Sequence, residues 1–344
     1  MQHKSNDIWT VKYRPRSLAE MVGNERTIDL LTRLVNSNNL PHFIFHGPVG
    51  SGKSSAAFCL ANDLYGDNYT RNFTYFNASD FFTMGKRYIV RDKRFKRIIG
   101  TDDPKKVRES VISIFKRILN EYSSMSPIDH DYKLIFIDSA ESFDSSSQHA
   151  LRRIMEKYTA TTRFILSTTQ PSKLISPLRS RGLQVYFTYV AQNEFIDYMQ
   201  QIVNHEELVT EEDALDALYY DSKGNIEKGL YTLQLAITLT NSNKVTSESI
   251  YEAIVSQIHE GIIPLFESAI DGDIVNSRKL IDKLIIEDGM SGVEIIELLH
   301  KAIIESNEPE SKVIHLIKLI AEIEHKMLHS ANDRIQLEHM VSRF

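Results

Sequence analysis

The sequence contains a single cysteine, Cys59, among 344 residues. One thiol excludes a disulfide framework within the chain and any zinc site built from four cysteines. The chain has no run of eighteen apolar residues, which argues against a membrane-spanning helix. Its opening residues, MQHKSNDIWT, are polar and lack the apolar stretch of a signal peptide. We therefore expect the protein to remain inside the cell.

Neither sign of charge is spread evenly along the chain. Residues 1–190 carry 28 Lys and Arg against 18 Asp and Glu, whereas residues 191–344 carry 12 against 28. The net charges of the two parts are thus +10 and −16. A basic first half indicates contact with a polyanion, although uneven surface solvation explains the same counts. The length and the hydrophobic content of 42% predict a globular protein of two or three domains.

Short apolar runs alternate with helical stretches in the first half, which predicts a parallel sheet covered on both faces by helices. Strands are expected at residues 42–47, 73–80, 133–139, 163–169 and 183–187. Helices are expected at residues 54–64, 104–122 and 145–158. From about Ala191 onward, helix follows helix without a convincing strand, and residues 240–249 are interpreted as a polar linker. The predicted domains cover residues 1–188, 189–242 and 243–344.

The stretch GPVGSGKSS fits the pattern G-x-x-x-x-G-K-[ST], with an apolar strand before it and a helix after it. Its glycines let backbone N–H groups surround nucleotide phosphates, while Lys53 neutralises the β- and γ-phosphates. The Ser54 hydroxyl completes the Mg²⁺ shell, so ATP and Mg²⁺ are the expected ligands. The residues expected to form this phosphate loop are Gly47, Pro48, Val49, Gly50, Ser51, Gly52, Lys53, Ser54 and Ser55.

A second motif, LIFID, ends at Asp138, whose carboxylate is expected to hold Mg²⁺ through its water shell. In nucleotide-hydrolysing proteins of this class the next residue is usually a glutamate that polarises the attacking water. Here it is Ser139, a poor base at neutral pH. Glu141 stands in for that glutamate only if the turn after the strand swings it back, which the sequence does not favour.

Together these motifs resemble a small subunit of replication factor C, the AAA+ sliding-clamp loader of archaea and eukaryotes. The similarity runs in family order over most of residues 9–187. It is carried by WTVKYRPRSLAEMVGNE, LPHFIFHGPVGSGKSS, FNASD, QHALRRIMEKYTATTRFIL and PLRSRG. A longer basic insert, FFTMGKRYIVRDKRFKRIIGTDDPKK, suggests a second archaeal type of small subunit.

The resemblance implies an α/β AAA+ P-loop ATPase domain with a five-stranded parallel sheet, then a helical lid domain and an all-α collar domain. It also implies a five-membered ring of large and small subunits that opens a sliding clamp and places it on primer–template DNA. By the same resemblance we expect no membrane partner, and a location in the cytoplasm or nucleoid of an archaeon or in the nucleus of a eukaryote.

ATP sites in such a ring lie between neighbouring subunits. The family's Ser-Arg-Cys motif is Ser180-Arg181-Gly182 here, so Arg181 is expected to act as a finger on the neighbour's γ-phosphate. Arg152 and Arg153 are carried over as a weaker interface pair. By the same resemblance the adenine pocket is lined by Val11, Tyr13, Arg14, Pro15, Val22 and Gly23.

Four positions depart from the family pattern. Val11 replaces a usual glutamate, Ser139 replaces the catalytic glutamate, and Thr169 stands where the family often has an asparagine that senses the γ-phosphate. Glu227 replaces the arginine of the second sensor, and we expect it not to contact the nucleotide because a carboxylate repels phosphate. These losses predict a subunit that binds ATP, cleaves it slowly if at all and completes its neighbour's site.

The segment KRYIVRDKRFKR holds seven basic residues in twelve, and in the family this region lines the ring and follows duplex phosphates. The expected DNA contacts are Lys86, Arg87, Arg91, Lys93, Arg94, Lys96 and Arg97. The alternative is a solvated basic insert on the outside of the ring. Three other functions remain open: a non-hydrolysing structural subunit of the same ring, a helicase-type AAA+ motor and, least favoured, a P-loop small-molecule kinase.

Overall fold

The computed structural model describes residues 8–37, 39–101, 103–128, 130–211, 213–240, 242–256, 261–306, 308–327, 330 and 332–344. The chain divides after Ser247 into two compact units. The first contains a parallel sheet and the helices around it, and the second is helical. The finer division at residues 188 and 242 stays a prediction.

Five parallel strands form the sheet of the first unit, as the alternation of apolar runs predicts. In space they follow the order β2-β3-β4-β1-β5, so β1, which precedes the phosphate loop, lies between β4 and β5. The bounds are His42–His46 for β1, Phe73–Asn77 for β2, Lys133–Asp138 for β3, Thr162–Thr168 for β4 and Gly182–Tyr186 for β5. Because all five strands run the same way, the residues that follow β1, β3 and β4 meet at one edge.

Twelve α-helices of the first unit are described, most of them connecting or covering the strands. They are α1 (Trp9–Lys12), α2 (Glu25–Asn36), α3 (Lys53–Tyr65), α4 (Ala78–Thr83), α5 (Lys86–Arg91), α6 (Lys93–Ile99), α7 (Val111–Ser124), α8 (Ser145–Lys157), α9 (Ser176–Arg179), α10 (Gln192–His205), α11 (Ala214–Ser222) and α12 (Ile226–Thr240). Short 3-10 helices occupy Leu18–Glu20, Gly66–Arg71, Ala140–Ser142 and Pro171–Lys173.

Alternate residues of the central strands pack on opposite faces of the sheet. Ile135 and Ile137 contribute to the core on one face, which the helices α7 and α8 cover. Leu134 and Phe136 contribute to the other core, which contains α3 and its buried Cys59. Strands buried on both faces need apolar residues at every position, which is why they form continuous apolar runs in the sequence.

Three local differences from the sequence-based expectation have simple causes. The second strand ends at Asn77 because the Asn77 side chain accepts a hydrogen bond from the Asp80 N–H, which caps α4. Helix α7 begins after Ser110, whose hydroxyl accepts from the Ser113 N–H, and not near residue 104. The expected polar linker includes a two-residue strand, β7 (Lys244–Val245), which pairs in parallel with β6 (Val209–Thr210).

Phe136 offers a test of this core. It is fully buried, and its ring lies 5.4 Å from that of Tyr75 and 5.9 Å from that of Phe58, measured between centroids. Phe136→Ala is expected to lower the free energy of unfolding by about 3–5 kcal/mol because it removes apolar contacts and leaves a cavity. Urea denaturation measures the change. The control is Tyr220→Ala, whose side chain is 78% exposed and should change stability little.

The second unit has its own hydrophobic core, built from residues 262–341. Its helix α16 (Gly292–Ile304) begins with a capping box, in which the side chains and backbone N–H groups of Ser291 and Glu294 bond reciprocally. Among the described residues, no helix is both long enough and apolar enough to cross a membrane. The helices are α13 (Ser247–Ser256), α14 (Ile262–Ile270), α15 (Ile274–Asp282), a π-helix (Lys283–Glu287), α16 (Gly292–Ile304), α17 (Glu310–Met327) and α18 (Asp333–Val341).

Candidate functional site: a phosphate loop at the sheet edge

The phosphate loop joins β1 to α3 at the carboxyl edge of the sheet. Gly52 has a φ of 90° and stands at the N-terminus of α3, where a side chain would strain the backbone. A Cβ at Gly47 would lie 2.1 Å from the Phe187 carbonyl oxygen, so that position also requires glycine. The buried Lys53 amino group donates to the carbonyl oxygens of Gly47 at 2.9 Å and Pro48 at 2.5 Å. This loop, a helix N-terminus and an inward-facing ammonium form a cradle that fits phosphates.

Asp138, at the end of β3, lies directly beside the loop. Its Oδ2 accepts a 2.9 Å hydrogen bond from the Ser54 hydroxyl, so the two side chains expected to bind Mg²⁺ are adjacent. Its Oδ1 accepts from the Ser167 hydroxyl at 2.6 Å and from the Ser139 N–H at 2.9 Å. A hydroxyl and a carboxylate are suitable ligands for Mg²⁺, which prefers oxygen. The sequence analysis missed Ser167, and its one signal is a buried polar residue within an otherwise apolar strand.

A cleft leads from the phosphate loop to the N-terminal segment. Of the residues expected around the nucleotide, Tyr13, Arg14, Pro15, Val22 and the loop residues 50–55 line it. Other lining residues, which sequence reasoning did not identify, are Thr10, Glu20, Met21, Val190, Tyr198, Ile226 and Leu230. The cleft therefore has an apolar end that suits a base and a polar end that suits phosphates.

Val11 differs from the expectation. It is 65% exposed and lines a neighbouring groove with Arg14, Phe58 and Tyr69, not the cleft itself. The cause is the single turn of helix at Trp9–Lys12, on which Thr10 and Tyr13 face the cleft while Val11 lies on another side. Gly23 is buried behind the cleft, where an added Cβ would approach the Val190 side chain to 2.9 Å.

The N-terminal segment is tied to α10 and α12. The Tyr13 hydroxyl donates to Glu206 and contacts His205 Nδ1 at 2.8 Å, and the Lys12 ammonium pairs with Glu206 at 2.7 Å. Burial, followed by the Glu206 carboxylate, raises the pKa of Tyr13 well above its usual range, so the phenol stays protonated. The backbone N–H of Trp9 donates to Gln234 Oε1 at 3.0 Å. These bonds fix one wall of the cleft.

Glu227 lies closer to the loop than expected. It lines the same cleft as Lys53, although the sequence analysis places it away from the nucleotide. The N-terminus of α12 approaches the loop so closely that a Cβ at Gly50 would meet the Asn225 amide nitrogen at 2.1 Å. The adjacent Lys228 ammonium turns away and pairs with Asp221 at 2.7 Å.

The two residues that bear on hydrolysis adopt an unexpected arrangement. Ser139 has a φ of 55° and a ψ of 45°, a left-handed conformation that residues with a Cβ seldom adopt. This turn leads into the 3-10 helix Ala140–Ser142 and brings Glu141 back against the end of β4. There the Thr169 hydroxyl donates to Glu141 Oε1 at 2.8 Å, and the Thr169 N–H reaches the same oxygen at 3.4 Å. The turn therefore carries Glu141 to Thr169, which follows β4.

Arg181 follows α9 and is held within its own chain. Its guanidinium pairs with Glu156 on α8 and donates to the Pro177 carbonyl oxygen at 2.5 Å. Arg152 pairs with the same Glu156 at 3.2 Å. Arg153 instead lines a groove with Lys116, Asn120, His149 and Lys157 between α7 and α8. Arg181 is not among the residues that line the chain's own cleft.

The basic segment forms helices α5 and α6. Some of its cations have hydrogen-bond or ion-pair partners within the chain. Lys86 donates to the Val107 carbonyl oxygen at 2.7 Å. Arg94 pairs with Asp92 and donates to the Tyr75 carbonyl oxygen at 2.7 Å. Arg87 and Arg91 are exposed. The side chains of Lys93, Lys96 and Arg97, also expected to contact DNA, lie outside the described residues.

The sheet order and the loop define an AAA+ fold, and solved structures agree. The chain is similar to the Thermotoga maritima RuvB Holliday junction branch migration motor, with a TM-score of 0.53 and 16% identity over 83% of this chain and 85% of the other. A point mutant of the same RuvB gives a TM-score of 0.54 at 15% identity, over 84% and 85% of the two chains. Likeness at this identity concerns the fold alone.

Comparison of sequences shows the family as well as the fold. A family model described as "Replication factor C C-terminal domain" matches residues 258–343, and "DNA polymerase III, delta subunit" matches residues 23–191. Replication factor C small subunits of Thermoplasma volcanium and Archaeoglobus fulgidus are 32% and 33% identical to the chain. The matches cover 98% and 96% of this chain, and 96% and 95% of those relatives. The chain belongs to the replication factor C small-subunit family.

Proposed function

We propose that this chain is an ATP-binding small subunit of a clamp loader that opens a sliding clamp and places it on primer–template DNA. The observation that carries the proposal is the meeting of Lys53, Ser54 and Asp138 at one sheet edge, in a chain of this family. We place it in a five-membered ring with a large subunit and other small subunits. Its nucleotide is ATP with Mg²⁺.

The test is reconstitution with the large subunit, other small subunits and clamp of the same organism. ATP-dependent transfer of labelled clamp to primed DNA is expected only when this chain is present. Equal transfer by the partners without the chain would contradict the proposal. Replacement of ATP by ADP is the control, since a loader driven by the γ-phosphate should not transfer the clamp with ADP.

We also propose that the chain's own site hydrolyses ATP slowly while Arg181 completes a neighbour's site. Support for slow turnover comes from Ser139, which occupies the position of the usual base. Support for the donated arginine comes from its place after α9, apart from the chain's own cleft and paired only weakly to an exposed carboxylate. A non-hydrolysing structural subunit is the second candidate, and Ser139 is the observation that favours it.

Contact with DNA is proposed for the exposed arginines of α5. Replacing Arg87 and Arg91 together with alanine should weaken binding to a primer–template duplex and reduce the salt slope of log K by about 2, since each phosphate contact contributes about 0.9. Fluorescence anisotropy over a range of salt concentrations measures both. Replacing Lys279 and Lys318, exposed lysines of the second unit, is the matched control. An unchanged slope in the arginine variant would place the segment away from DNA.

A further inference from the structure

Two carboxylates act on the Lys53 ammonium at the sheet edge. Burial lowers the pKa of Lys53, and the charges of Asp138 and Glu141 oppose that shift. Asp138 is the expected Mg²⁺ ligand, and each of its two carboxylate oxygens accepts a hydrogen bond from a hydroxyl group. Glu141 has no assigned role in the site, although its charge acts on the same ammonium.

Glu141 also has one oxygen engaged and one free. Oε1 accepts from Thr169, whereas Oε2 is buried and has no hydrogen-bond partner among the described residues. A buried carboxylate oxygen without a partner is costly, because its lost hydration is not replaced. This unsatisfied acceptor belongs to a side chain bonded to Thr169, which stands at the position of the family's γ-phosphate sensor.

We propose that Glu141 orients and polarises the attacking water at this chain's own ATP site, in place of a carboxylate at position 139. This inference rests on the proposed function, namely ATP binding at this site. The water oxygen bonds to the γ-phosphorus as the bond to the β–γ bridging oxygen breaks. The bridging oxygen keeps the electron pair and leaves with ADP. The water proton passes to Glu141 Oε2 and then to solvent.

The surroundings of Glu141 would also limit the rate of this hydrolysis. Burial by itself would raise the pKa of Glu141, but the donor groups around the carboxylate, namely its own backbone N–H, Thr168 and Thr169, outweigh that effect and lower it. The carboxylate is therefore ionised at neutral pH and able to accept a proton. Because a low pKa also makes it a weak base, the proton transfer contributes less than it would from a carboxylate of higher pKa.

The test compares Glu141→Gln with Ser139→Ala in the full chain, alone and assembled with its partners. Glutamine keeps an oxygen for the Thr169 hydroxyl but removes the charge and the proton acceptor. The rate of ATP hydrolysis is measured after the rate of the Lys53→Ala variant has been subtracted as background. This corrected rate is expected to be about a hundredfold lower in Glu141→Gln, a usual contribution of a general base. Ser139→Ala is expected to lower hydrolysis much less than Glu141→Gln does, because the Ser139 hydroxyl is not a base at neutral pH.

A binding measurement gives a readout that does not depend on turnover. If Glu141 lies near the γ-phosphate as proposed, removal of its negative charge should raise affinity for a non-hydrolysable ATP analogue, relative to ADP, by about threefold or more. If Glu141→Gln binds nucleotide but hydrolyses at the original rate, or if the original chain binds ATP without any hydrolysis, the inference is overturned, while the proposed role as an ATP-binding clamp-loader subunit stands. If the original chain binds no ATP, both the inference about Glu141 and the proposed function are wrong. Thermal unfolding without nucleotide shows that the variants are folded.

Discussion

Lys53→Ala should weaken ATP binding by about a hundredfold. Lys53 is 7% exposed, and its ammonium bonds to two carbonyl oxygens of the phosphate loop, so it is held where phosphates enter the cradle. A hydrogen bond to a charged group is worth about 1.5–3 kcal/mol. Loss of two such bonds from the ammonium to phosphate oxygens would weaken binding by about a hundredfold or more, since each 1.4 kcal/mol is about a factor of ten.

The measurement is titration of the full chain with a fluorescent ATP analogue in Mg²⁺. The rise in melting temperature that ATP gives to the original chain should disappear in the variant, because the rise depends on ligand concentration relative to Kd. Lys318→Ala, in which an exposed lysine of α17 is lost, should bind as the original chain does. Tight ATP binding by the Lys53 variant would mean that the nucleotide lies elsewhere.

The second large effect concerns the neighbour's site. Arg181→Ala should abolish the additional ATP hydrolysis that appears when this chain joins its partners, by a factor of about 10³ or more at the site that receives the arginine. The chain's own affinity for ATP should not change, because Arg181 is not among the residues of its cleft. Steady-state hydrolysis with clamp and primed DNA, combined with nucleotide titration, separates these two quantities.

Two further variants refine this experiment. Arg181→Lys keeps the charge but loses the planar fork, and activity between those of the alanine variant and the original chain is expected. Glu156→Gln removes the negative partner that holds the Arg181 guanidinium within its own chain. Releasing the arginine should leave the neighbour's hydrolysis intact or raise it. A fall in Glu156→Gln equal to that in Arg181→Ala would indicate that the pair matters for structure alone.

The sheet and the phosphate loop are predictable because their signals are local. Continuous apolar runs mark the central strands, and the glycines before Lys53 mark the loop, since backbone geometry leaves few other residues possible there. The bounds of helices are harder to predict from sequence because they depend on caps such as Ser110 and Asn77, and several residues near each end are able to cap.

The arrangement of Ser139 and Glu141, in contrast, has no local signal in the sequence. It depends on a left-handed turn at a serine, which no sequence rule predicts, and on a hydroxyl from the neighbouring strand. Likewise, the ion pair of Arg94 with Asp92 and the bond from Lys86 to Val107 cannot be deduced from a run of basic residues. Charge patterns locate a basic segment, but only the fold shows which cations already have partners.

The most direct test of the account is ATP binding and steady-state hydrolysis by the full chain alone, then with its partner subunits, clamp and primed DNA. We expect the chain alone to bind ATP and hydrolyse it slowly. Addition of the partners should produce rapid hydrolysis that depends on Arg181. Rapid hydrolysis by the chain alone, unaffected by the loss of Arg181, would contradict the account.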